Sequence, residues 1–229
     1  MFGISGANLR RVELSHTANA VSTTDLTTYT FSSQALGAAH SNRKIVVAII
    51  ANDTDAGTTI STVTVGGVSA SVVSDGTTTA TADAGSGNTR ISAQYLAAVP
   101  TGTTGDIVIT FSGAMINCAI TVYRLVNART QAFHVVKDTS ITTNALSVGL
   151  NIPGFGAAIG GVLMEGDGTA RTASWVGLTE DTDATIESDD SYSTANKSFA
   201  MAQSSLTVTV TASGTIDQGA LVTASFKPL

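Results

Sequence analysis

Carboxylates dominate one stretch of the chain. Between Glu165 and Asp190 the eight acids Glu165, Asp167, Glu180, Asp181, Asp183, Glu187, Asp189 and Asp190 face a single base, Arg171. A hard cation such as Ca²⁺ takes about six to eight oxygen ligands. Glu180, Asp181 and Asp183 supply part of such a shell and are the candidate metal ligands. The glycine-centred loop of a helix-loop-helix calcium site is absent, as are glycine-aspartate repeats. The expectation for the stretch is therefore a solvated acidic loop, with no cofactor required.

Paired carboxylates also hydrolyse glycosides, but only across a cleft that holds the sugar. Aromatic platforms are few: Trp175 is the one tryptophan, and Tyr192 and Phe199 are its nearest aromatic neighbours in sequence. Trp175 and Tyr192 are the candidate sugar contacts, although strand alternation equally suits a Trp175 ring in the core. His16, His40 and His134 neither pair at zinc spacing nor accompany a Gly-x-Ser-x-Gly elbow. The glycine-rich run Gly154–Gly161 lacks the Lys-Ser/Thr ending of a phosphate loop. Gly160 and Gly161 read instead as room for a bulky neighbour or a second backbone beside a buried strand. Cys118, the single cysteine, lies in an alternating run and reads as a buried, inert thiol. No catalytic residue is expected, and the chain is not read as an enzyme.

The elements that carry these residues follow from composition. The 229 residues are 43% apolar, 12% charged and 5% aromatic, with a net charge of -6. That is ample for a core. Basic residues pair only at Arg10-Arg11 and Arg43-Lys44, so neither nucleic acid nor an anionic membrane is an expected partner. No apolar run is long enough for a spanning helix, and the N-terminus lacks the basic and apolar regions of a secretion signal, which predicts synthesis in the cytoplasm. Thr28–Phe31, Ile60–Val65, Asp106–Phe111 and Leu206–Val210 alternate with period two. Between such runs lie turn sequences such as Val65-Gly66-Gly67-Val68 and Pro153-Gly154-Phe155-Gly156. The prediction is an all-β protein of two related antiparallel β-sandwich halves, jelly-roll or immunoglobulin-like.

The relation between the halves is an internal repeat. Arg43–Asp53, a nearly continuous apolar run ending in an acidic turn, corresponds to Gly156–Asp167. Ser61–Val68 corresponds to Ala173–Leu178, and Arg90–Leu96 to Asn196–Met201. Ile107–Ser112 with Ala119–Leu125 parallels Leu206–Ala212 with Ala220–Phe226. The boundary falls near Asn127-Ala128-Arg129-Thr130, giving halves 1–127 and 128–229 that either pack tightly or share one sandwich. The first half carries 6 bases and 7 acids, the second 5 and 10. Its extra loop, Ser74–Asn88, has no aliphatic side chain larger than alanine, so it is either mobile or ordered by a neighbour.

The run Gln94-Tyr95-Leu96-Ala97-Ala98-Val99-Pro100-Thr101-Gly102-Thr103-Thr104-Gly105-Asp106-Ile107-Val108-Ile109-Thr110-Phe111, with Val65–Val68 before it and Ala119–Tyr123 after it, resembles accessory virion proteins of tailed bacteriophages. Trp175–Asp181 and the ending Ala224–Leu229 look like the same group. The resemblance implies a structural role on the virion, assembled in the bacterial host cytoplasm. There the protein would act as a decoration or cement protein on the head or as a tail fibre or baseplate component. Its partners would be the major capsid protein or other virion proteins, with homo-oligomeric assembly. It brings no catalytic residues with it. A carbohydrate-binding β-sandwich is the alternative. Phe2, Ile4, Leu9, Arg10 and Arg11, ahead of the first strand, are the candidate assembly arm, against the reading of a frayed terminus.

Overall fold

The structure, a computed structural model, describes residues 10–229. It is all-β, built of antiparallel strands. The first half contains β1 (Glu13–Ser22), β2 (Leu26–Ala35), β3 (Lys44–Asp53), β4 (Ile60–Val65), β5 (Val68–Val72), β6 (Thr81–Asp83), β7 (Thr89–Ala97), β8 (Thr104–Met115) and β9 (Asn117–Val126). The second contains β10 (His134–Ile152), β11 (Ala157–Gly166), β12 (Ala173–Val176), β13 (Thr179–Thr185), β14 (Asp190–Ser198) and β15 (Gln203–Phe226).

In the first half the hydrogen-bonded order runs β1-β9-β3-β7-β5-β4-β8-β2, with β6 on β7. β5 joins two facing layers, β1-β9-β3-β7 and β2-β8-β4-β5, which nearly close into a barrel. This is the double-sheet order of a jelly roll. Tyr29, Phe31, Ile107, Ile109 and Phe111 from one layer meet Ile45, Val47, Ile49, Ile120 and Val122 from the other.

The second half repeats that plan with fewer, longer strands. β10 and β15 pair from His134↔Ser225 to Ile152↔Gln203, but the register jumps between Thr143↔Ile216 and Ala145↔Thr211. At this bend both strands leave one layer and enter the next, and Thr142 takes a positive φ of 58°. One layer is then the first part of β10, the last part of β15, β11, β14 and β13; the other is the rest of β10 and β15 with β12. Leu146, Val148, Leu150, Val208 and Val210 close over Val162, Met164 and Leu221 between them.

Strand by strand the halves correspond: β1 and β2 to the two parts of β10, β3 to β11, β4-β5 to β12-β13, β7 to β14, and β8 and β9 to the two parts of β15. The register agrees. Ile49 lies between Ile120 and Ala93, and Val162 lies between Leu221 and Ser193. One expected correspondence is corrected: Arg90–Leu96 matches the strand starting at Asp190, while Met201 lies in the turn after β14. The apolar Phe199 and Met201 suggested a strand there, whereas β14 itself is built of Ser191, Ser193 and Thr194, hydroxyls that are buried.

The two jelly rolls face each other, so the chain stacks four β layers. Val46, Ala48, Leu96, Tyr123 and Leu125 meet Ala157, Ile159, Ala220, Val222 and Ala224 across the seam. Equivalent residues oppose one another: a Cβ on Gly161 would lie 3.7 Å from Cβ of Ala48, and Ile50 shares a cluster with its counterpart Leu163. The halves are thus related by a pseudo-two-fold axis along the strands. β3 and β11 are covered on both faces, which is why they read as continuous apolar runs, while the alternating strands β2, β4 and β8 have one wet face. The Ser74–Asn88 loop contributes β6 and is ordered by the second half. Ala132 N donates to Ser74 O, Lys137 Nζ to Thr81 O, and Val135 N to the Asp75 carboxylate. Burial opposes the ionisation of Asp75. The amides of Thr78, Thr77 and Val135, with the Thr77 hydroxyl, outweigh it and hold this carboxyl below the usual range.

Candidate functional site

All strands run between two ends of the molecule. The basal end holds the start of β1, β3 and β11 and the end of β9, β14 and β15. The apical end holds the opposite termini of these strands, except that β15, like β10, bends there and has both its ends, with Gln203 beside Ile152, at the basal end.

Near the apical end of the seam, polar side chains replace the apolar ones. Arg90 forms an ion pair with Glu165 at 2.6 Å, with both side chains largely buried. Arg90 Nη1 also donates to the carbonyl of Asp53 at 2.7 Å. At the symmetry-equivalent place the pair is Asp190 and Asn52, which hydrogen-bond directly. Asn117 Nδ2 lies 3.5 Å from the same carboxylate and 3.4 Å from Glu187 Oε2. Burial pushes the Asp190 pKa up to about 6, aided by Glu165 and Asp189 and opposed by Arg90 and Asn117. The Oδ1 atoms of Asn52, Asn117 and Asp190 are buried without a hydrogen-bond partner among the described residues. Further down, Ser92 Oγ donates to Gly161 O at 2.9 Å and Gln94 Nε2 to Ile159 O at 3.1 Å. Across the pseudo-axis Thr194 Oγ1 reaches Thr121 Oγ1 at 3.3 Å.

The candidate ligands Glu180, Asp181 and Asp183 are not in a free loop but on edge strand β13. Glu180 is exposed, Asp181 accepts from Tyr123 OH at 2.9 Å and Asn196 Nδ2 at 2.7 Å, and Asp183 accepts from Ala173 N at 2.9 Å. Burial raises the pKa of all three; Asp183 and Asp181 add to the rise at Glu180. The bulge at Glu180/Thr182 turns Asp181 toward the first half, so the two aspartates serve different neighbours. Among the described residues no group of three or more His, Cys, Asp or Glu side chains is placed to hold a metal ion.

Trp175 and Tyr192 are separated by a sheet. The indole lies inside the second jelly roll over Gly160, whose added Cβ would fall 2.8 Å from the ring, and its Nε1 donates to Ser193 Oγ at 2.8 Å. Tyr192 is fully buried in the seam with Ile50 and Leu163. The two rings form no common platform. Of the proposed arm, Phe2, Ile4 and Leu9 lie outside the described residues; Arg10 and Arg11 are exposed, and Val12 N donates to Phe155 O at 2.9 Å at the basal end. Each histidine has a backbone partner: His16 near Ala18 O, His40 accepting from Asn42 N, and His134 from Asn151 N. The Cys118 thiol is buried, which raises its pKa.

The outermost layers carry a feature that the sequence reading missed. On the first, register aligns Thr28, Thr110 and Thr62 in one row and Thr30, Val108, Thr64 and Ser69 in the next. On the second, Ser147, Thr209 and Val176 form one row and Ala145, Thr211 and Ser174 another. Thr28 Oγ1 donates to Thr110 Oγ1 at 3.2 Å, and the equivalent Ser147 and Thr209 hydroxyls are 2.9 Å apart. No charged side chain occupies these rows. The signal was the Thr-x-Thr alternation itself, legible once the inward partners Tyr29, Val63 and Ile109 are assigned to the core. Comparison with protein-family models, curated proteins and solved structures returned no match.

Proposed function

We propose that the chain is an accessory structural protein of a tailed-phage virion, bound to the head lattice as decoration or cement. The observation that carries this reading is the pair of equivalent, uncharged hydroxyl faces on opposite sides of a duplicated jelly roll. A lattice repeats one surface many times, and a molecule with two equivalent faces engages two neighbouring copies of it. Simultaneous engagement raises apparent affinity by about two orders of magnitude or more without new chemistry. Uncharged hydroxyls can make water-bridged contacts without the cost of burying a charge. The jelly roll recurs in viral shells and in lectins, so the fold supports the reading by analogy alone. The inward Trp175 ring argues against the sugar-binding alternative.

The test is co-sedimentation of the purified chain with phage heads stripped of accessory proteins. Saturable binding is expected, weakened about a hundredfold by Thr110→Lys or Thr209→Lys alone, since either substitution removes one face. Failure to bind heads, or binding indifferent to both substitutions, refutes the reading. Binding to tails alone reassigns the chain to fibre or baseplate.

A further inference from the structure

The two ends of the molecule are chemically opposite. The apical turns are acidic: Asp25 between β1 and β2, Asp55 after β3, Asp167 after β11, Glu187 between β13 and β14, and Asp217 at the bend of β15, all exposed. The basal connections are basic. Arg10 and Arg11 precede β1, Arg129 follows β9, Lys197 closes β14 and Lys227 follows β15; four are exposed and Lys227 is half-buried. Counter-charges at each end are few and engaged. Apical Arg90 is paired to Glu165, and apical Arg171 Nε donates to Thr215 O at 2.8 Å. Basal Glu13 lies 3.7 Å from Arg124, and basal Asp106 accepts from Ser33 N at 2.8 Å. Glu180, on the edge of β13, is the exception.

Exposed large apolar side chains follow the same division. Val21 (41% exposed), Leu26 (39%) and Ile141 (61%) are apical; Val68 (38%), Phe133 (41%), Met201 (74%) and Leu229 (56%) are basal. Only Val176 faces sideways among the described residues. At the basal end Phe133, Ile152, Pro153 and Ala202 line an open groove, with Lys227 Nζ 5.8 Å from the Phe133 ring centroid. Apolar residues gathered within a charged patch are the composition of a contact surface.

We infer that copies of this chain associate end to end, the basic, apolar basal end of one docking on the acidic, apolar apical end of the next. The occupant is a second copy because the chain itself carries the complementary surface. The two ends are different surfaces, so the contact is heterologous and continues into an open chain unless a rotation closes it. The net charge of -6 opposes association at long range. The local complementarity acts within a Debye length, so assembly depends on salt. This inference does not rest on the virion reading.

The experiment is sedimentation velocity of the full chain at about 0.02 M and about 0.5 M salt, conditions that differ severalfold in screening length. The wild-type sedimentation coefficient is expected to rise with protein concentration at low salt and to return to the monomer value at high salt. A basal triple variant, Arg10→Glu/Arg11→Glu/Lys227→Glu, and an apical one, Asp55→Lys/Asp167→Lys/Asp217→Lys, are each expected to lose at least tenfold in association constant. Five of these positions lie in turns or beyond strand ends and Asp217 lies exposed at the bend of β15, and unchanged thermal midpoints confirm folding. Mixing the two variants is expected to restore assembly. A wild-type chain that stays monomeric at low salt, assembly indifferent to both reversals, growth that stops at a dimer, or a mixture that fails to assemble each overturns the inference.

Discussion

Replacing Asp190 by asparagine removes a charge from the seam while keeping the shape and hydrogen-bonding reach of the side chain. Asp190 is 5% exposed and its pKa stands at about 6, against an ordinary value of 3.8, chiefly because burial disfavours the anion. The folded state therefore holds a proton that the unfolded state releases between pH 4 and pH 6. Its contribution to stability is fully present below the ordinary value and is lost as pH rises through about 6. The difference of about two pH units corresponds to about 3 kcal/mol at neutral pH. Asp190→Asn carries no such penalty. Guanidinium unfolding of both proteins from pH 4 to 8 is expected to give equal stabilities at the acid end. The variant should pull ahead by up to about 3 kcal/mol above pH 6. A variant less stable than wild type at pH 7 would refute the reasoning, because it would mean that contacts of the ionised carboxylate with Asn52 and Asn117 outweigh its burial.

Four further outcomes follow from the seam and the second core. Glu165→Ala leaves the buried Arg90 guanidinium without its counter-ion and is expected to cost about 3 kcal/mol or more in denaturant unfolding. Gly160→Ala drives a methyl into the Trp175 ring and is expected to cost about 1–3 kcal/mol. Gly161→Ala, one residue on, meets only ordinary contacts with Ser92 and Ala48 and is expected to stabilise by about 0.5 kcal/mol, so the two melting shifts should differ in sign. Trp175→Ala empties a half-buried core site and is expected to cost about 3 kcal/mol; wild-type stability in that variant would place the ring on the surface instead.

Period-two alternation located Ile60–Val65 and the core of β8 because those strands have one wet face. The continuous runs at Arg43–Asp53 and Gly156–Asp167 also carried a message about layer order, since only a strand covered on both sides reads that way. The repeat was legible where apolar residues recur at matching positions. It failed at β14, whose buried residues are mostly polar (Asp190, Ser191, Ser193 and Thr194), and at β10, where one long bent strand does the work of β1 and β2. Arg90, Ser92 and Gln94 alternate with Ile91, Ala93 and Tyr95 and so read as a half-solvated strand. Ser92 and Gln94 are in fact buried against carbonyls of β11 and β15 and Arg90 against the Glu165 carboxylate, partnerships set by the second half of the chain. The acids of 165–190 were visible as a cluster, but their separation into the seam pair, the edge strand and the apical turns depends on strand direction. No local spacing encodes it.

Cryo-electron microscopy of the phage particles assembled in cells that make this chain tests the central claim most directly. The account predicts regular density over the head shell, into which the four-layer double jelly roll fits with both hydroxyl faces against neighbouring lattice subunits. Density confined to the tail, or a particle without the chain, would contradict it.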